Sequence, residues 1–168
     1  MNAAKTPQIL YAEARELRKK LSALETLSPK DRRNIPQQDM PSQDPAMRKG
    51  NMNEVALGYS EDQAVVESMR CLNCPGKPCV AGCPVSIDIP LFLKQTADGE
   101  FDEAFATIQK SSMLPAICGR VCPQEKQCML TCTVGKMFKD PQKSVAIGRV
   151  ERFLADRARA TGKKASTE

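Results

Sequence analysis

Apolar residues recur along much of this chain at helical rather than strand spacing. Leu10, Ala14, Leu17, Leu21 and Leu24 fall at alternating steps of four and three, a single apolar stripe that predicts a helix over residues 8–27. Such a helix packs on its own domain, or else on a partner chain or an absent domain. Residues 28–50 break the pattern. Pro29, Pro36, Pro41 and Pro45 stand among polar and charged residues, which predicts a linker or an extended arm. With so few apolar groups, the arm would offset its ordering entropy only by lying on a partner. Ser60-Glu61-Asp62-Gln63 reads as a capping box opening a helix that runs to about Arg70. Asp88-Ile89-Pro90 places an N-cap and an early proline before Leu91, Phe92 and Leu93, and Gly99 marks the stop. Phe101, Ala104, Phe105 and Ile108 predict a short amphipathic helix. A last helix is expected over 144–160, with Val145, Ala146, Val150, Phe153 and Leu154 apolar. No period-two alternation appears. The expected class is all-α with long loops: a helix and Pro-rich arm over 1–50, a main domain over 51–160, and a polar tail or linker over 161–168.

Composition sharpens this picture. Among 168 residues, Leu, Ile, Val and Phe total 33, just under a fifth, which is the edge of what a self-sufficient core needs. Trp is absent, so something besides apolar burial is expected to hold the fold, and the eight cysteines are the candidates. The absence of His excludes His-ligated zinc or haem, a Ser-His-Asp triad and a Cys-His pair on this chain. No catalytic constellation remains. No run of 18 apolar residues exists to span a membrane, and Met1-Asn2-Ala3-Ala4-Lys5 lacks the apolar core of a secretory signal. The chain is therefore expected in the cytoplasm, where thiols stay reduced and bind metals before they form disulfides. The net charge of +5 is mild and aromatics are few, which argues against a nucleic-acid surface.

The cysteines fall into two groups of four within 62 residues: Cys71-x2-Cys74-x4-Cys79-x3-Cys83-Pro84 and Cys118-x3-Cys122-Pro123-x4-Cys128-x3-Cys132. Thiolates suit iron–sulfur clusters, zinc and Cu(I), with four per centre the natural count. Bacterial ferredoxins use C-x2-C-x2-C-x3-C-P, and their fourth Cys serves the other cluster. The first group resembles that run with a longer middle spacer. Two [4Fe–4S] clusters are the leading reading. Two structural zinc sites are the alternative, although zinc ribbons favour paired C-x2-C knuckles and only one is present. Redox disulfides or inert buried thiols complete the set. The loops carry Pro75, Gly76, Pro78, Gly82, Pro84 and Gly119, whose backbones can approach a cluster closely.

Four segments make a family resemblance specific: Arg70-Cys71-Leu72-x-Cys74, Cys83-Pro84-Val85 with Asp88-Ile89-Pro90, Leu114-Pro115-x-Ile117-Cys118-Gly119-Arg120-Val121-Cys122-Pro123, and Ile147-Gly148-Arg149-x-Glu151. Over residues 53–157 the chain resembles the N-terminal iron–sulfur domain of the NADPH-dependent glutamate synthase small subunit. Related modules occur in dihydropyrimidine dehydrogenase and in the large subunit of NADH-dependent reduced-ferredoxin:NADP oxidoreductase. The resemblance implies an α-helical ferredoxin fold with two [4Fe–4S] clusters and crossed ligation. Cys71, Cys74, Cys79 and Cys132 would hold one cluster. Cys83, Cys122 and Cys128 would hold the other, with Glu151 as its fourth, non-cysteine ligand. Cys118 matches a family cysteine that is not a ligand. At Gly148, one turn from Glu151, the missing side chain is expected to let the backbone pass close to the cluster.

In the family this module precedes FAD and NAD(P)H domains, each opened by a G-x-G-x-x-G turn, and no such turn occurs in these residues. FAD and NAD(P)H are therefore expected on an absent domain or a partner subunit, with a second redox subunit as the other partner. The polar tail from Gly162 suggests excision from a longer chain. The implied function is an electron-transfer domain of an FAD/NAD(P)H-dependent oxidoreductase of glutamate synthase small-subunit type. The alternative is a structural or docking domain stapled by zinc or by redox-silent iron–sulfur, and a weaker third option is an oxygen-sensitive redox sensor.

Overall fold

A computed structural model describes residues 5–162, so most of the expected 161–168 tail lies outside the described residues. The described chain is all-α. Its helices are α1 (Pro7–Ser22), α2 (Pro29–Asn34), α3 (Pro45–Arg48), α4 (Glu61–Met69), α5 (Pro78–Ala81), α6 (Ile89–Ala97), α7 (Phe101–Gln109), α8 (Pro115–Val121), α9 (Cys128–Thr131), α10 (Thr133–Phe138) and α11 (Ile147–Ala160). One isolated antiparallel bridge, Ser42 to Ala56, is the sole β pairing among the described residues.

Local chemistry explains where the main helices start. The Ser60 hydroxyl accepts from Gln63 N while the Gln63 side chain accepts from Ser60 N, so α4 opens on the expected capping box. Asp88 accepts from Leu91 N at the head of α6, and Gly99, at φ +84°, takes the left-handed turn that ends it. α4, α6, α7 and α11 pack together around Phe92, Ile89, Leu93, Ile108, Val65, Val150 and Leu154, all buried.

Three regions differ from expectation. α1 stops at Ser22 rather than residue 27, because only Leu10 and Ala14 are buried and Leu24 is exposed, leaving its last predicted turn without packing. It docks on α4 of its own chain, where Arg18 meets Glu61 and Asp62 at 3.1 and 2.9 Å. Residues 28–50 are not extended throughout. Pro29 and Pro45 each open a short helix behind an N-cap, Ser28 and Asp44. This arm lies on the chain's own body through polar bonds: Arg32 donates to Met69 O, Gln37 to Gln142 O and Ser144 O, and Tyr59 to Gln38 O. These hydrogen bonds hold the arm together with its few apolar anchors, the buried Ile35 and the partly buried Met40 packed against the core. Finally, α11 begins at Ile147 rather than Ser144. The Ser144 carbonyl is taken by Gln37 and Arg70, and the Ser144 hydroxyl donates to Met129 O.

Candidate functional site

The eight cysteines are all free thiols, carried by short helices and the turns between them. α4 ends at the cap residue Arg70 and delivers Cys71 directly into a loop. Asn73 and Lys77 there adopt left-handed backbone (φ 49° and 40°), and Ser86 does so after Cys83 (φ 55°). Such conformations are costly for non-glycine residues and cluster where a chain must wrap something tightly. Cys79 lies on α5, and Cys132 stands between α9 and α10. Cys71, Cys74, Cys79 and Cys132 line a hollow whose other walls include Ile89, Leu93, Val134, Val145 and Ile147. The Cys74 thiol lies 3.2 Å from the Thr133 hydroxyl. Burial pushes the Cys71 thiol up to about 11 and Cys79 up to about 12. Among neighbouring groups, Cys74 and Cys132 raise Cys71 further, and Cys71 and Cys132 raise Cys79.

A second hollow is lined by Cys83, Cys118, Cys122, Cys128 and Glu151, with Ile87, Phe92, Gln124 and Gln127 among its walls. α8 supplies Cys118 and ends on Cys122, α9 opens on Cys128, and α11 supplies Glu151 from its second turn. Burial pushes Cys122 up to about 11, followed by Cys118, Glu151 and Cys83. Burial likewise pushes Cys128 up to about 12, followed by Cys83 and Glu151. Glu151 is 6% exposed, its Oε1 has no hydrogen-bond partner, and burial pushes its carboxyl up to about 7. For Cys71, Cys79, Cys122 and Cys128, the thiols and carboxylate that act on each belong to its own hollow.

Residues 48–163 match the family described as dihydropyrimidine dehydrogenase domain II, 4Fe-4S cluster. The chain belongs to this 4Fe–4S family. Among its curated relatives, the glutamate synthase (NADPH) small chain of Escherichia coli K12 is 37% identical over 120 residues, 71% of this chain and 25% of the relative. The corresponding small chain of Azospirillum brasilense is 35% identical over 122 residues, 72% of this chain and 25% of the relative. The E. coli NAD-dependent dihydropyrimidine dehydrogenase subunit PreT is 33% identical over 111 residues, 66% of this chain and 26% of the relative. The chain thus spans about a quarter of the length of these relatives. No helix among the described residues is long and apolar enough to cross a membrane.

The donor sets fit a 4Fe–4S group. Each hollow presents soft thiol sulfurs, and the second adds a buried carboxylate oxygen that nothing in the protein satisfies. Four thiolates on one tetrahedral ion sit roughly 3.8 Å apart, as follows from zinc–sulfur bonds of about 2.3 Å. Among the described residues no group of three or more Cys, Asp or Glu side chains is gathered to hold a single metal ion. Thiols spread around a hollow suit a larger body. The raised thiol pKa values state the same need electrostatically, since buried sulfurs give up their protons only to a compensating cation.

Several positions had no sequence signal. Thr133 beside Cys74, and Ser112, whose hydroxyl lies 3.8 Å from the Cys118 sulfur, are polar neighbours of thiols that no spacing singled out. The expected opening at Gly148 is absent, because the Gln124 side chain fills the space a Cβ would take there. The close approach is at Gly119 instead, where a Cβ would stand 2.7 Å from Arg152 N and 2.8 Å from Gly148 O. That contact presses α8 onto α11, and Arg120 reinforces it by pairing with Asp156 at 2.7 Å.

Proposed function

We propose that this chain is an electron-transfer domain holding two [4Fe–4S] clusters within an FAD/NAD(P)H-dependent oxidoreductase of glutamate synthase small-subunit type. The observation that carries this reading is the pair of separate donor-lined hollows sharing the walls Ile89 and Ile147. Cys71, Cys74, Cys79 and Cys132 would hold one cluster, and Cys83, Cys122, Cys128 and Glu151 the other. Bound there, the clusters would supply reversible one-electron chemistry. The protein's own part is to place and insulate. Ile89 and Ile147, 1% and 3% exposed, keep water out of the wall between the hollows. Glu151 offers a hard oxygen donor in place of a fourth thiolate, which differentiates the second site from the first. Flavin and nicotinamide would sit on the remainder of the enzyme or on a partner subunit. For the nicotinamide, the relatives' names support this, since they are given as NADPH- and NAD-dependent, and the matched region is about a quarter of each relative.

The test is metal analysis of anaerobically purified protein. The reading expects about eight irons and eight sulfides per chain, with an EPR signal appearing on reduction. About two zinc ions and no inorganic sulfide would overturn it in favour of a stapled structural domain.

A further inference from the structure

The second hollow contains one more donor than a single cluster requires. Cys83, Cys118, Cys122, Cys128 and Glu151 all line it, whereas the first hollow has four. Three of the five are cysteines with a counterpart in the crossed assignment. The remaining two, Cys118 and Glu151, are brought there by one helix contact. Gly119 of α8 lies against the backbone of Arg152 of α11, so the residue preceding each, Cys118 and Glu151, faces the same space. Both flank Cys122, which follows Cys118 by one helical turn and donates its N–H to Cys118 O at 3.1 Å.

Neither donor is committed elsewhere. Glu151 Oε1 is buried with no hydrogen-bond partner. The Cys118 sulfur has a long 3.8 Å contact to the Ser112 hydroxyl, weak even for sulfur, and otherwise meets the Cys122 thiol of the same hollow. A spare thiol with no role in the site would be expected to pack among apolar side chains. This one is half-buried at the edge of a hollow lined by other ligand-type groups.

We propose that Cys118 is a reserve ligand, able to take the fourth position of the second site when the Glu151 carboxylate leaves it. This rests on the reading that a [4Fe–4S] cluster occupies that hollow. In the exchange Glu151 releases its iron–oxygen bond and Cys118 forms an iron–sulfur bond. The thiol proton passes to the freed carboxylate, and no electron is gained or lost. Glu151 is the resting ligand because its buried oxygen has nothing else to bind, whereas Cys118 keeps a hydroxyl neighbour when unligated. The softer thiolate binds iron more firmly than the carboxylate, so exchange would protect the site from losing an iron while changing its potential.

The experiment compares the wild-type chain, Cys118→Ser, Glu151→Ala and the double variant, each reconstituted anaerobically with ferrous iron and sulfide. Iron content, the three-iron EPR signal after mild oxidation, and midpoint potential are read for each. Both single variants should keep the wild-type iron content. Glu151→Ala should shift the midpoint potential of one cluster, and Cys118→Ser should leave it in place. Only the double variant should lose about one iron per chain and give the three-iron signal. Glu151→Leu, which keeps side-chain bulk without a donor, should repeat the Glu151→Ala pattern alone and with Cys118→Ser, which guards against a folding defect. If Glu151→Ala or Glu151→Leu alone loses as much iron as the double variant, Cys118 is no reserve ligand. If Cys118→Ser alone loses iron, it is a resting ligand and the proposal fails in the other direction. A wild-type chain that takes up no iron and sulfide overturns the cluster reading itself.

Discussion

Glu67 and Arg70 form a buried ion pair at the end of α4, with side chains 0% and 3% exposed, and between them they bind two distant stretches of the chain. Glu67 accepts from Gln38 N and Ala146 N, each at 2.8 Å. Arg70 donates to Ile35 O at 3.2 Å, Ser144 O at 2.9 Å and Lys143 O at 2.8 Å. The pair therefore fastens the 28–50 arm and the entry to α11 to the residue that immediately precedes Cys71.

Removing one partner leaves the other buried and uncompensated. Glu67→Gln should destabilise the metal-loaded chain by about 3 kcal/mol, at the lower end for a broken buried pair because the amide retains part of the bonding. Denaturant unfolding at fixed metal content checks this. A loss no larger than that of the exposed pair partner Asp98→Asn, beside Lys94, would show the network to be dispensable.

Gly119→Ala should destabilise by about 1–3 kcal/mol, because the added methyl meets main-chain atoms of α11 that cannot move independently. Gly76→Ala, where nothing lies within 4 Å, should be near neutral. Thermal melts of the two variants side by side measure the difference.

Cys79→Ser and Cys83→Ser are four residues apart yet line different hollows. Each should lose about half the iron, and the double variant nearly all of it. Cys79→Ser combined with Cys132→Ser should lose no more than either alone, although 53 positions separate them. Iron and sulfide assays on the five proteins distinguish this from grouping by sequence.

Metal removal should unravel the ligand-bearing short helices first. α5 and α9 are four residues each, too short to persist without the groups they surround. Hydrogen exchange in the metal-free chain should show fast amides there, with slower exchange surviving in α6 and α11. Uniform protection across all four helices would mean the apolar core suffices.

What could be read in advance follows the range of the interactions. Helix starts set by contacts three residues apart, such as Ser60 with Gln63 and Asp88 with Leu91, were legible in the sequence. The end of α1 was not, since Leu24 continues the stripe on paper but finds nothing to pack on. α8 was missed because Pro115 and Gly119 look like loop residues, whereas one opens the helix and the other lets it touch α11. The arm's attachment depends on pairs such as Gln37 with Ser144, more than a hundred residues apart, for which local pattern carries no signal. Spacing likewise divided the cysteines into 71–83 and 118–132. The folded chain regroups them by sending Cys83 and Cys132 across to the opposite hollow.

That crossing constrains biosynthesis. A chain emerging from the ribosome as far as residue 120 has exposed five of its eight thiols, yet neither hollow is complete. The first waits for Cys132 and the second for Cys122, Cys128 and then Glu151, which arrives only with the final helix. Iron and sulfide delivered early would meet a flexible set of thiols with no defined partners. Delivery to the finished chain would instead meet both ligand sets gathered around α6 and α11, with α5 and α9 closing as the clusters form, so maturation of this domain is expected to follow translation rather than accompany it.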